Sequence, residues 1–204
     1  QATYDLSEGE DPEGKNYFAF ALTAKVDPTP EDLLLRNFFQ ELLIESENGL
    51  LKKPLQAAGI GEDVYSELSV TNTWDFSVVA YRARADRYED FKSIVTDTLT
   101  RLVDEGIDED VLEATLEKFE FTVRRGGGSH ADLISYIGAL NTWLYGQSPL
   151  DGLELLPLLK KLREKIGTDY YQEKIREFFL EPTHRFFMNV APEAGKQKRE
   201  DAAL

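Results

Sequence analysis

The chain has 204 residues, enough for one sizeable domain that buries an apolar core without disulfide or metal support. It contains no Cys, which excludes disulfides, thiol catalysis and Cys-based zinc sites, and its two His are too few for a multi-histidine metal centre. With 23 basic and 38 acidic residues the net charge is −15, so nucleic acids and anionic membranes are disfavoured as partners.

The composition also indicates how the chain is organised. Residues 1–14 are polar and acidic, as in a linker or frayed end, and we expect one domain over residues 15–192 and a polar tail over residues 193–204. Because the chain begins with Gln1 rather than Met, we expect it to be part of a longer protein. No apolar run approaches the ~20 residues of a membrane span, so we expect a soluble protein of the cytoplasm or an organellar matrix rather than a secreted one.

The first elements carry clear local signals. Residues 17–24 alternate large apolar side chains with small ones, which predicts a strand. Thr29 and Asp32 form a capping box around Pro30, a combination typical of a helix start. A second, shorter helix is expected to end at Gly59, where a left-handed residue terminates many helices.

A hairpin is predicted next, followed by a mostly helical region. Residues 64–70 and 76–80 alternate as strands around a turn at 71–75. A last strand is expected over 185–191, so the pattern predicts an α+β fold with a single antiparallel or mixed sheet and several helices packed on one face. The helix starts after the hairpin are predicted at Asp86 (with Glu89), Asp108, Ser129 (with Asp132), Ser148-Pro149 and Thr168.

The sequence carries few candidate catalytic or metal-binding groups. His130 and His184 are isolated, and Ser129, His130 and Asp132 are too close in sequence to converge as a catalytic triad. The Gly-rich run at 126–128 follows a predicted helix and lacks the Lys-Ser/Thr of a phosphate-binding loop. The sequence therefore predicts no catalytic residue, no cofactor-binding residue and no metal ligand. Of the two tryptophans, Trp143 is expected in the core and Trp74, at a turn, is a candidate interface anchor.

Four segments together resemble the insulinase/pitrilysin superfamily of zinc peptidases, and within it the presequence protease branch. Residues 48–63 resemble a Leu- and Gly-containing segment that follows the first helix of each repeated domain in that superfamily. Residues 117–121, 142–145 and 182–185 resemble three further segments of the presequence proteases, in the same order along the chain.

The resemblance implies a fold and a role. The family has four related α+β domains that close around a peptide-holding chamber, with the catalytic zinc motif in the first domain. The present chain resembles the second, non-catalytic domain, so the resemblance implies a structural, chamber-lining role, zinc only in the parent's first domain, and the parent's other domains and peptide substrates as partners. A free-standing peptide-binding or assembly module of the same fold remains an alternative, while an independent enzyme is disfavoured by the missing nucleophile–base pair.

The resemblance also implies a candidate peptide-contact strand. In insulinase-like relatives an extended substrate lies along a strand of the second domain. The matching strand here is the first one of the hairpin, and pairing would require it to be a sheet edge with free N–H and C=O groups. The negative charge of the chain would favour basic peptides. The candidate residues are Val64, Ser66, Leu68, Val70 and Trp74.

Overall fold

The computed structural model describes residues 2–25, 29–70, 73–125, 136, 139–140, 143–144, 146, 148–150, 155–182 and 184–202. Their strands are β1 (Ala2–Leu6), β2 (Asn16–Lys25), β3 (Asp63–Val70), β4 (Thr73–Ala83) and β5 (His184–Ala194). They form one sheet in the order β1-β5-β2-β4-β3, in which β1 runs parallel to β5 and the other neighbours are antiparallel. The predicted α+β class with a single mixed sheet is confirmed.

Helices account for most of the remaining described residues. The described helices are α1 (Pro30–Gln40), α2 (Lys52–Ala57), α3 (Tyr88–Asp104), α4 (Glu109–Arg125), α5 (Leu155–Arg163), α6 (Tyr170–Ile175) and α7 (Lys196–Ala202). Two of them, α1 and α6, continue into π-helical turns at Glu41–Glu45 and Arg176–Leu180, and a short 3₁₀ turn at Ala85–Arg87 precedes α3.

Local capping signals explain several of these boundaries. The Thr29 hydroxyl accepts a hydrogen bond from the Asp32 amide at 3.2 Å, and Pro30 is the first residue of α1, as predicted. Gly59 has a φ of +67° just beyond α2, which confirms the left-handed stop. Asp86 differs from the prediction: its carboxylate accepts from the Arg84 guanidinium, and α3 begins without a side-chain cap.

The core lies between the sheet and the helices. Alternate residues of β4 are buried, because successive side chains of a strand point to opposite faces of the sheet. Phe38 and Phe39 of α1 meet the ring of Tyr171 in α6, whose hydroxyl donates to the Leu162 carbonyl at 2.7 Å. Strand β2 contributes three large side chains to this core, those of Phe18, Phe20 and Leu22.

The two ends of the chain differ from the expected linker and tail. The first end contains β1, which pairs with β5, and the second contains α7, which packs against β1. The Gly195 amide donates to the Leu6 carbonyl at 3.0 Å, and the Lys196 ammonium donates to the Thr3 carbonyl at 2.8 Å. The paired residues of β1 and β5 are almost 190 positions apart in the sequence. The polar composition of either end alone therefore does not indicate that the two ends meet.

The segment between α4 and α5 also differs from the prediction where it is described. The predicted caps Ser129 and Asp132 lie outside the described residues. Trp143, expected in the core, is 65% exposed, and the neighbouring Leu144 is 64% exposed. Ser148 accepts a hydrogen bond from the Leu150 amide at 3.2 Å, but these residues form a turn, and the described helix begins at Leu155.

Candidate peptide-binding edge

The described residues do not assemble a catalytic or metal centre. No group of three or more His, Asp and Glu among them is placed to hold a metal ion, so zinc has no fitting ligand set in this part of the chain. His184 is the exposed first residue of β5, and His130 lies outside the described residues. None of the described helices is long and apolar enough to cross a membrane.

The strand that the resemblance pointed to, β3, is the last strand of the sheet. It pairs with β4 on one side, and within the described ranges no strand pairs with its other side. An edge strand directs the N–H and C=O groups of alternate residues away from the sheet, where they can pair with another chain. We call this outer side of Asp63–Val70 the β3 edge.

The side chains of β3 alternate between two environments. Val64 is fully buried and Leu68 packs on the core, so these two side chains face the helices and are not available to a peptide. Ser66 is half-buried on the same side, where Gln40 of α1 donates to its hydroxyl at 3.1 Å. The side chain of Val70 lies outside the description. The backbone of the β3 edge, rather than these apolar side chains, is therefore what can pair with a peptide.

Trp74 does not lie at an exposed turn but in β4, opposite Val70 and Ala24. It is fully buried, and its ring stacks on Phe76 with the centroids 5.7 Å apart. The Arg36 guanidinium lies 4.3 Å from the Trp74 ring centroid, and Asp32 accepts from Arg36 at 2.9 Å. Trp74 belongs to the core, so the prediction of a peptide anchor at this position is wrong.

Carboxylates surround the β3 edge. Glu45, in the π-helical turn after α1, accepts a hydrogen bond from the Ser66 hydroxyl, and Glu67 is exposed on the opposite face. Burial, and secondarily the charge of Glu67, raises the pKa of the neighbouring Tyr65. Asp63 lies 3.5 Å from the Lys52 ammonium at the start of the strand. The edge is therefore mainly acidic. The net charge of the whole chain is also negative, but it does not show where the acidic residues lie in the structure.

The sheet face opposite the helices is apolar and only partly shielded. Across its centre the register places Ala19 between Met188 of β5 and Val79 of β4, with Tyr65 beyond. Phe186, two residues before Met188 in β5 and opposite Ala21, is 52% exposed. The open face, as we call this surface, is lined by Tyr4, Tyr17, Ala19, Ala21, Tyr65, Ser77, Val79, Tyr81, Phe186 and Met188.

Comparison with known proteins places the chain in a family. Residues 5–119 match the family model described as "Peptidase M16 inactive domain". Protein HypA of Clostridium perfringens is 32% identical over 99% of this chain and 21% of its own length. Presequence protease 1 of Arabidopsis thaliana, described as chloroplastic/mitochondrial, is 23% identical over 95% of this chain and 19% of its own length. The chain spans about a fifth of the length of these curated relatives.

Solved structures share the fold. The periplasmic protease PqqL from Escherichia coli superposes with a TM-score of 0.66 at 14% identity, over 94% of this chain and 20% of that one. The inactive peptidase domain of a Bordetella parapertussis protein superposes with a TM-score of 0.64 at 13% identity, over 89% of this chain and 94% of that one. The resemblance to insulinase-like peptidases of the presequence protease branch is confirmed, and the chain belongs to the peptidase M16 inactive domain family.

Proposed function

We propose that this chain is the non-catalytic, chamber-lining second domain of a longer, presequence-protease-like zinc peptidase that degrades peptides. The match to an inactive peptidase domain carries the proposal, and the relatives are about five times longer than this chain. In the parent, zinc would be held by the first domain. We expect the purified chain to bind no stoichiometric zinc and to cleave no peptide, which atomic absorption and a peptidase assay test directly.

The open face supports a structural role. Large and half-exposed apolar side chains such as Phe186 and Val79 lie together with small ones such as Ala19 and Ala21, over which another element can approach closely. A sheet with such a face is stabilised when a further layer covers it. We assign this surface to contact with the other domains of the parent.

The β3 edge supports a role in holding substrate. Main-chain pairing at an edge strand gives affinity without requiring one peptide sequence, which suits a peptidase that degrades many unrelated peptides. The acidic surroundings of the edge, which include Glu45 and Glu67, favour basic peptides over acidic ones. We propose that an extended basic peptide adds to the sheet beside β3, with its backbone paired to alternate residues between Val64 and Val70.

A peptide titration of the 204-residue chain tests this role. We expect a basic, extended peptide to shift the backbone amide resonances of β3 and to protect alternate amides from hydrogen exchange at up to millimolar concentration. The amides of β1, at the opposite end of the sheet, provide the internal control. If no amide between Val64 and Val70 responds, or if these amides are equally protected in the free chain, the substrate-holding role is wrong.

The alternative of a free-standing module is tested by the parent gene. An inverted His-x-x-Glu-His zinc motif encoded upstream of this chain supports a peptidase domain, whereas a reading frame without it supports an independent peptide-binding or assembly protein.

A further inference from the structure

Two neighbouring positions of β3 place a carboxylate on each face of the sheet. On the helix side, the Gln40 amide donates to the Ser66 hydroxyl at 3.1 Å, and this hydroxyl in turn donates to the Glu45 carboxylate. The hydrogen bond from Ser66 holds the Glu45 carboxylate against β3, although Glu45 belongs to a different element, the π-helical turn Glu41–Glu45. Glu45 is exposed, so its carboxylate is open to a ligand beside the strand.

On the other side, the next residue supplies the second carboxylate. Glu67 follows Ser66 and therefore points to the open face, where it lies opposite Ser77 of β4. Glu67 is exposed, and its charge is close enough to Tyr65 to affect that phenol. The two carboxylates thus flank the β3 edge at adjacent strand positions, one above and one below the sheet.

The acidic residues at the start of β3 differ from Glu45 and Glu67 in being paired with cations. Asp63 pairs with Lys52 at 3.5 Å, and Glu62 pairs with the Arg82 guanidinium at 3.3 Å. In the part of the chain that the structure describes, neither Glu45 nor Glu67 forms an ion pair with a Lys or Arg. Among the described residues, the negative charge beside the centre of the β3 edge is therefore uncompensated, whereas the charge at the start of the strand is paired.

We infer that the β3 edge selects extended peptides that carry two adjacent basic residues, one reaching Glu45 and the other Glu67. The inference rests on the proposed function, because it requires a peptide strand paired beside β3. Such a strand lies about 4.8 Å away, and its successive side chains point to opposite faces, whichever direction the peptide runs. Two adjacent Arg or Lys residues therefore meet both carboxylates, while two basic residues separated by one position fall on the same face.

Three peptides of equal length test the spacing. The first has two adjacent arginines at the centre of an otherwise neutral, strand-forming sequence, the second has the same arginines separated by one threonine, and the third has glutamines in their place. Dissociation constants come from the backbone amide shifts of β3 in the 204-residue chain at low ionic strength. We expect the adjacent pair to bind about fivefold more tightly than the neutral peptide and about twofold more tightly than the separated pair.

Charge-neutralising variants test the two carboxylates separately. Glu45→Gln and Glu67→Gln are each expected to remove the advantage of the adjacent pair over the separated pair. Glu200→Gln, with the same change in net charge, lies in α7, which packs against β1 at the far end of the sheet, and should retain the advantage. Far-ultraviolet circular dichroism before each titration confirms that the variants are folded.

The possible results separate this inference from the proposed function. If all three peptides shift the β3 amides with equal affinity, the edge holds peptides by main-chain pairing alone. The inference and the preference for basic peptides are then overturned, while the pairing of a peptide beside β3 stands. If the adjacent and separated pairs bind equally, total charge rather than spacing governs binding, and the inference is again overturned. If no peptide shifts these amides, both are wrong.

Discussion

The two faces of the same sheet are built differently, and the clearest contrast is between Phe76 and Phe186. Phe76 of β4 points toward the helices and is 2% exposed, with its ring against Trp74 and Phe179. Phe186 of β5 points to the open face and is 52% exposed. One side chain therefore contributes to the stability of this chain, while the other exposes apolar surface that only another layer would bury.

The contrast indicates which face of the sheet stabilises the folded chain and which face a partner would cover. The helix-covered face packs against fully buried aromatic residues of the helices, and together they form one core among the described residues. The open face has small residues such as Ala21 and Ser77 near its centre and a group of three tyrosines, Tyr4, Tyr17 and Tyr81, toward one end. We therefore expect variants of the helix-covered face to alter unfolding, and variants of the open face to alter association.

Phe76→Ala and Phe186→Ala are the matched pair that tests this contrast most strongly. Truncating Phe76 leaves a cavity beside Trp74 and should lower the free energy of unfolding by about 3–5 kcal/mol. Truncating Phe186 should lower it by under about 1 kcal/mol, because half of its ring is already in water. Urea unfolding followed by circular dichroism measures both. Similar losses, or a non-cooperative transition in the unmodified chain, would contradict an independent core on one face only.

Gly61→Ala tests the close contact between the residues just before β3 and strand β4. Gly61 has a φ of +73°, and a Cβ there would lie 2.6 Å from the Tyr81 carbonyl oxygen. The Glu62 amide donates to this same oxygen at 2.8 Å, so the substitution should disturb the start of the β3–β4 pairing and lower the free energy of unfolding by about 2–3 kcal/mol. Gly9→Ala, with a φ of +93° but nothing within 4 Å, is the control and should have the smaller effect. Equal effects would mean that left-handed strain alone, without the contact to β4, accounts for the loss.

Local signals predicted much of the fold. The Thr29 cap, the Gly59 stop and the alternation in the hairpin each depend on a few neighbouring residues, and the structure agrees with all three. The predictions for the two tryptophans are wrong: Trp74, expected as an interface anchor, is buried, and Trp143, expected in the core, is 65% exposed. The burial of a large aromatic depends on what packs against it, and that information is not local.

The candidate site was predictable only in part. The motif resemblance pointed to the strand that became β3, but its edge position depends on the order of all five strands. The pairing of β1 with β5 joins the two ends of the chain and has no local signature. Glu45 was missed because it reaches the strand through the Ser66 hydroxyl from a separate helical turn, and no spacing in the sequence connects these two residues.

Alkaline pH should lower the free energy of unfolding through Tyr170, a residue of α6. Burial, followed by the charges of Glu31 and Asp32, raises the pKa of this phenol to about 12. Between pH 10 and 12 the unfolded chain then loses the phenolic proton while the folded chain keeps it, so stability falls as pH rises. Tyr170→Phe should make this decline shallower, as measured by urea unfolding at several pH values. A Tyr170→Phe slope equal to that of the unmodified chain would contradict the assignment.

The smallest effect on stability, and the most informative one for the open face, is expected from Phe186→Ser. Because Phe186 is 52% exposed, its loss should change the free energy of unfolding by less than about 1 kcal/mol. Removing the ring interrupts the apolar surface that continues through Met188 and Ala19, so any concentration-dependent association of the unmodified chain should weaken. Sedimentation velocity over a hundredfold range of concentration measures this, with Leu156→Ser, at a 41% exposed residue of α5, as the control for a general loss of apolar surface. If the unmodified chain stays monomeric throughout, or if Leu156→Ser weakens association as much as Phe186→Ser does, the open face does not mediate association.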